Sequence, residues 1–277
     1  MRLGAQLSAM PGFEAVVEEA GRAGLRSLQL FSRNPVGGKG QLIPPLPRMK
    51  ALLTRYAIQP LYIHAPYFVN PAALEQTKHL NAKTVLVAEM RRAKQLGGDY
   101  LVLHPGHFPN PGQKDQAWDQ TYETLIAMLS APGKILLENT AGQGKELGAD
   151  LAEIGQLFHR LGRTHRVGLM WDTAHWMAAG HPLTTQADVD RGFAAIDQTV
   201  GLARLKGIHL NDGEGTVGSR RDRHAPLLTG PLGREALKAL LRWAETLDIG
   251  VILETPGRDI SSRQADLTLV QNLMAEF

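Results

Sequence analysis

Apolar residues run along this chain in short blocks, separated by longer stretches whose apolar positions recur every three or four residues. The blocks at residues 2–8, 27–31, 60–64, 100–104, 134–138, 167–172, 205–210 and 249–254 are near-continuous, as expected of strands buried on both faces. The stretches 13–23, 46–57, 73–96, 115–130, 149–161, 184–202, 234–247 and 261–274 carry the helical period, several of them stopped by glycine. Eight strands alternating with eight helices predict a parallel sheet with crossover helices. A length of 277 residues is ordinary for one (β/α)8 barrel. An open doubly wound sheet is the alternative. No linker or second composition regime breaks the alternation, so one α/β barrel domain over residues 1–277 is expected. Residues 32–47, dense in Gly and Pro, form a loop long enough to be functional.

A polar pattern lies over the apolar one. Strands three to eight end, in order, in His64, His104, Glu138, Asp172, His209 and Glu254. The C-terminal ends of barrel strands are where active sites sit. His175 extends the set into the sixth loop, and Asp222 and His224 extend it into the seventh. One strand-end histidine alone is more often a hydrogen-bonded structural residue, and an acid before a turn is usually a helix cap. Six strands in succession ending this way call for a shared site. Imidazole and carboxylate ligands suit zinc or manganese. Nine candidates exceed what one ion needs, so two or three ions with a bridging carboxylate are expected. Paired ions stabilise the attacking and leaving oxygens of a phosphoryl displacement.

Composition narrows this reading without redirecting it. With no cysteine, disulfides and thiolate sites are excluded. A net charge of +3 permits a phosphate-bearing partner but does not demand one. Arg220, Arg221 and Arg223, interleaved with ligands, favour phosphate contact over a merely solvated face. Residues 1–13 lack the apolar core of a signal peptide, and no apolar run approaches a membrane span, so a cytoplasmic protein is expected. His79, His159 and His165 fall in or beside helices and read as solvated, while His107 and His181 could at most support the ligands. The glycines of residues 142–148 fail dinucleotide-loop spacing.

These residues lie in recognisable segments: Leu103-His104-Pro105-Gly106, Leu137-Glu138-Asn139-Thr140-Ala141-Gly142-Gln143-Gly144, Trp171-Asp172-Thr173-Ala174-His175, Gly207-Ile208-His209-Leu210-Asn211-Asp212, Asp222-Arg223-His224 and Leu253-Glu254-Thr255. Over essentially its whole length the chain resembles the endonuclease IV family of apurinic/apyrimidinic (type 2 AP) DNA repair endonucleases. The resemblance implies a trinuclear zinc site, with manganese possible at some positions. His64, His104 and Glu138 would hold the first ion. Glu138 would bridge to a second, held by Asp172, His209 and Glu254, and His175, Asp222 and His224 would hold the third. It also implies attack by an activated water on the phosphate 5′ to an abasic sugar, with Glu138 orienting or deprotonating it. The partners implied are double-stranded DNA with abasic sites or blocked 3′ ends, and the enzyme is expected to be a monomer.

The implied DNA contacts match less fully. Tyr67 aligns with an aromatic that the family inserts at the lesion, and Phe68 stands where leucine is common. A phenylalanine can do the same unstacking work; two aromatics capping the mouth as packing is the alternative. Arg33 and Asn34 align with the family's second loop. Val36 and Gly38 replace an arginine and a tryptophan there, Gln6 replaces a histidine of the first strand, and Lys39 is an electrostatic substitute at most. Two rivals remain. A sugar isomerase or epimerase of the xylose-isomerase-like type would use this barrel and one or two metals, without the third cluster. A lesion-binding protein without turnover would not need Glu138, Asp172 and Glu254 intact.

Overall fold

The computed structural model describes residues 1–37, 42–162 and 164–277. Eight parallel strands form the sheet: β1 (Arg2–Ala5), β2 (Leu28–Phe31), β3 (Leu61–His64), β4 (Tyr100–Leu103), β5 (Ile135–Glu138), β6 (Val167–Asp172), β7 (Leu205–His209) and, after two short strands, β10 (Gly250–Leu253). From β2 to β10 each pairs with the next strand of the sheet in chain order, and β10 pairs with β1. A parallel bridge between Gln6 and Gln29, with the Leu7 amide donating to the Gln29 carbonyl at 3.0 Å, joins the first and second strands. The result is a TIM barrel, as expected, and the open-sheet alternative is set aside.

Outside the sheet run α1 (Phe13–Arg22), α2 (Leu46–Arg55), α3 (Gln76–Gln95), α4 (Lys114–Met128), α5 (Leu151–Leu161), α7 (Gln186–Thr199), α8 (Arg234–Thr246) and α9 (Gln264–Met274). Their apolar stripes meet the outward-facing strand residues, such as Leu61, Leu101, Leu137 and Val251, in one continuous core. Because side chains alternate along a strand, Tyr62, Val102, Leu136, Met170 and Ile252 point the other way and pack inside the barrel as a separate cluster. The bottom of the barrel is filled by Tyr62, whose hydroxyl donates to the Lys206 carbonyl at 2.6 Å. A Cβ on Gly207 or Gly250 would lie 2.7 or 2.5 Å from that hydroxyl, so both positions need glycine to admit the ring. Two residues further along each strand, the same inward face becomes polar. That step from Val102 to His104, Leu136 to Glu138, Met170 to Asp172 and Ile252 to Glu254 builds the mouth.

Two features depart from the expected alternation. A short helix, α6 (Thr173–Ala178), follows β6 directly, and a two-stranded antiparallel ribbon, β8 (Asp212–Gly213) with β9 (His224–Ala225), folds the seventh loop back on itself. Both are too short to show a period in the sequence. One expectation is corrected: His79 is not solvated but buried where α3 meets α4, 3.5 Å from Glu123. The expectations on Gly38 and Lys39 lie outside the described residues.

Candidate metal centre

The nine side chains reach one mouth from six strand ends and two loops. Glu138, at the end of β5 and 1% exposed, lies at their centre. Its Oε2 is 3.2 Å from His64 Nε2 and 3.3 Å from His104 Nε2. Its Oε1 is 2.9 Å from His209 Nδ1 and 3.3 Å from His175 Nδ1. One carboxylate therefore faces two different sets of imidazoles with its two oxygens. Ligand atoms of His64, His104 and Glu138 all lie within 4.8 Å of one another, as do those of Glu138, Asp172, His209 and Glu254, and those of Asp172, His175 and His224.

The third group differs in detail from expectation, because Asp172 joins it. Asp172 caps the N-terminus of α6 through the His175 amide at 2.7 Å, which fixes the carboxylate beside that histidine. Asp222 nevertheless stands next to the group, its Oδ1 3.2 Å from His175 Nε2 and 3.8 Å from His224 Nε2. The ribbon returns Asp222 and His224 to the mouth, and the Gln143 carboxamide, accepting from the Asp222 amide at 3.0 Å, ties the loop down.

Three supporting residues escape a reading of the sequence alone. Gln29 Nε2 donates to Glu254 at 2.6 Å, so its oxygen, 2.9 Å from His209 Nε2, must accept from that nitrogen. Neutral His209 then keeps its hydrogen on Nε2 and offers Nδ1 to a metal. Backbone carbonyls do the same for His64, through Ala65 at 2.8 Å, and for His175, through Asn139 at 2.9 Å. The Asn139 side chain also accepts from the Asp172 amide at 2.7 Å, and Asn211 donates to the Asp172 carboxylate at 2.7 Å while accepting from the Glu254 amide at 2.8 Å. Gln29→Leu should therefore weaken zinc affinity by roughly 10–100-fold, the usual cost of losing an outer partner. Competition against a chelating indicator measures this, and unchanged affinity would count against the assigned role.

The site fits metal ions. Its donors are nitrogen and carboxylate oxygen, the set that zinc and manganese accept. His224 Nε2 is buried with no hydrogen-bond partner among the described residues, a costly arrangement unless a ligand meets it. In the metal-free protein protons take the place of cations. Burial would raise the Glu138 carboxyl, but the imidazoles of His209 and His104 hold it well below the usual carboxylate range. Burial would lower His209 and His175, but carboxylates outweigh it: Glu138 and Glu254 push His209 up to about 9, and Asp172 with Asp222 raises His175. Zinc loading near neutral pH should therefore release protons, measurable by pH-stat titration. The raised histidines stabilise the metal-free fold fully below ~6.5, their unfolded value. That contribution is lost as pH climbs through about 9. Chelator-treated protein should melt at a lower temperature above that value than at neutral pH, and a flat profile would contradict the charge pattern.

The residues expected to meet DNA surround this mouth. Tyr67 is 58% and Phe68 46% exposed, with the Tyr67 ring 5.3 Å from the His64 ring. Arg220, Arg221 and Arg223 lie on the seventh loop, Arg220 and Arg221 exposed and Arg223 exposed beside half-buried Asp222. A Cβ on Gly142 would collide with Arg220 Nη1, so glycine there leaves the guanidinium its place. Arg33 is held differently, its Nε 2.5 Å from the fully buried Glu89 carboxylate. Asn34 accepts from the Val36 amide at 3.1 Å and shapes its own turn.

Known proteins resemble this chain over nearly its whole length. The family model described as the xylose isomerase-like TIM barrel matches residues 17–274. A protein named probable endonuclease 4 from Halorhodospira halophila is 37% identical over 265 residues, 92% of this chain and 88% of that one. Its namesake from Moorella thermoacetica is 34% identical over 279 residues, 99% of each chain. The crystal structure of endonuclease IV from Thermus thermophilus superposes with a TM-score of 0.87 at 31% identity and covers all of both chains. A D-tagatose 3-epimerase-like protein, 17% identical with a TM-score of 0.72 over 99% of this chain and 97% of that one, shares the fold.

Proposed function

The chain belongs to the endonuclease IV family, and on that premise we propose that it cuts double-stranded DNA 5′ to abasic sites, leaving a 3′-hydroxyl, and trims blocked 3′ ends. It is a metal-dependent hydrolase of the abasic-site endonuclease type, with three clustered groups suited to a trinuclear zinc centre. The observation that carries the finer reading is Glu138, one buried carboxylate turned toward two sets of imidazoles. The proposal includes a single barrel domain over residues 1–277, acting as a cytoplasmic monomer. Among the described residues no helix is long and apolar enough to cross a membrane.

Bound zinc or manganese would supply Lewis acidity and bring the pKa of water toward ~7. His64 and His104 with Glu138, then Asp172, His209 and Glu254 with Glu138, and His175, Asp222 and His224 would hold the ions. Glu138 orients the attacking water and accepts its proton. Gln29, Asn139 and Asn211 keep the ligands aimed, so little reorganisation is needed as charge develops on the phosphate. Tyr67 and Phe68 fill the gap left by the missing base, and Arg220, Arg221 and Arg223 hold the flanking backbone.

A sugar epimerase shares the fold, but the Asp172, His175, Asp222 and His224 cluster exceeds what one or two metals require. Parallel incubations separate the readings. With zinc, a duplex containing one tetrahydrofuran abasic analogue should be nicked while ketohexoses stay unchanged. Tight binding of the duplex without nicking would favour a lesion-binding protein, and sugar epimerisation alone would favour the rival enzyme.

A further inference from the structure

Beside the metal mouth, between the ends of β1 and β2 and the loop after β10, lies a cavity of about 580 Å³. Its walls include Gln6, Arg33, Arg258 and Arg263, and Met10 and Val36, 81% and 80% exposed, stand at its rim. Its most unusual wall is Arg263, 3% exposed. Nη2 of that guanidinium donates to the Gly257 carbonyl at 2.8 Å, while Nε and Nη1 find no acceptor among the described residues. Burial of a guanidinium with unmet donors is costly, and buried charges are ordinarily paired.

The carboxylates that influence Arg263 are Glu254, Asp259 and Asp266, and each is engaged elsewhere. Glu254 accepts from Gln29 at 2.6 Å, Asp259 from Ser261 and the Ser262 amide at 2.9 Å, and Asp266 from the Leu227 amide at 3.0 Å. Once Glu254 serves a metal, still less of its charge balances Arg263. Gln6 Oε1, on the same wall, is also buried without a partner among the described residues and suits a water bridging to a phosphate. Phe31, another wall residue, has its ring 5.2 Å from the His64 ring, so the cavity adjoins the metal groups.

We propose that this cavity is a phosphate subsite, in which Arg263 anchors a non-scissile phosphate of the DNA strand being cut and Arg258 lies at its edge. The proposal rests on the nuclease reading above. A strand with its scissile phosphate on the metal groups can lay a neighbouring phosphate and its sugar into a pocket of this size. Arg263 is thus a positioning residue: its contact is made to bound substrate before and during reaction, so it acts on KM more than on kcat.

The test uses the zinc-loaded protein and tetrahydrofuran-containing duplexes in which single flanking phosphates are replaced by uncharged methylphosphonates. Wild-type protein should show, besides positions held by Arg220, Arg221 and Arg223, one flanking position where the replacement raises KM by about 10–100-fold, the size of a charge-assisted hydrogen bond. Arg263→Gln should raise KM for the unmodified duplex by a similar factor with little change in kcat, and should be insensitive to that one replacement. Arg263→Lys should recover part of the loss. A wild-type scan with no sensitive position overturns the proposal whatever the variants do, including variants that fail to fold. So do effects of variant and replacement that multiply at every position. Failure of the wild-type protein to cut the unmodified duplex would instead overturn the nuclease reading.

Discussion

Replacing Glu138 with glutamine is expected to lower cleavage at abasic sites by at least ~10³-fold while leaving the fold intact. A positioned base contributes about 10²–10⁴-fold, and here the same carboxylate also joins two ligand groups. The geometry explains why the fold should survive. His64 and His209 present Nε2 and Nδ1 to the carboxylate, because their other nitrogens face Ala65 and Gln29. A carboxamide of the same shape can donate to one imidazole and accept from a protonated other, so no buried group is stranded. Circular dichroism and melting temperature check the fold, and single-turnover cleavage checks the chemistry. Full activity in this variant would remove Glu138 from the mechanism.

The second large effect concerns the third ligand group, which separates this centre from that of a one- or two-metal sugar enzyme. His224→Ala removes an imidazole whose Nε2 is buried and without a hydrogen-bond partner among the described residues, 3.6 Å from Asp172 and 3.8 Å from Asp222. Bound zinc should fall from three ions per chain to two, read by elemental analysis after loading and gel filtration. Cleavage should fall by more than the ~10–100-fold typical of losing an outer partner. Because the Glu138, Asp172, His209 and Glu254 group does not include His224, the other two ions should remain. Retention of three ions with full activity would mean that His224 holds nothing essential.

The positions of the nine side chains are legible in the sequence because each breaks an apolar run at a strand end or sits in the loop beyond it. His64, Glu138 and Asp172 need no tertiary information to be noticed. Gln29 does. It is a lone amide between Leu28 and Leu30, and only the barrel's curvature brings it to His209 on a strand 180 residues away. An amide on the inward face of an otherwise apolar strand is the available signal. Asn139 and Asn211 look like turn residues beside ligands, and their hydrogen bonds to Asp172 appear only when β5, β6 and β7 are side by side. The α6 helix spans six residues, less than two turns, so in the sequence Asp172 reads as a strand end alone rather than also as a cap. The burial of His79 is hidden for a similar reason, since it depends on how α4 packs over α3. Arg263 has no sequence signal at all, because a charged residue opening a helix is ordinarily exposed.

Metal-dependent scission of the phosphodiester on the 5′ side of an abasic sugar is the reaction proposed for this barrel mouth. Its most direct test is mass spectrometry of the products from a tetrahydrofuran-containing duplex, incubated with metal-stripped protein and with the same protein reloaded with zinc. No products are expected from the stripped protein. From the reloaded protein, one fragment ending in a 3′-hydroxyl and another beginning with the phosphorylated abasic analogue are expected. Equal cleavage by stripped protein, or a break on the 3′ side of the analogue, would contradict it.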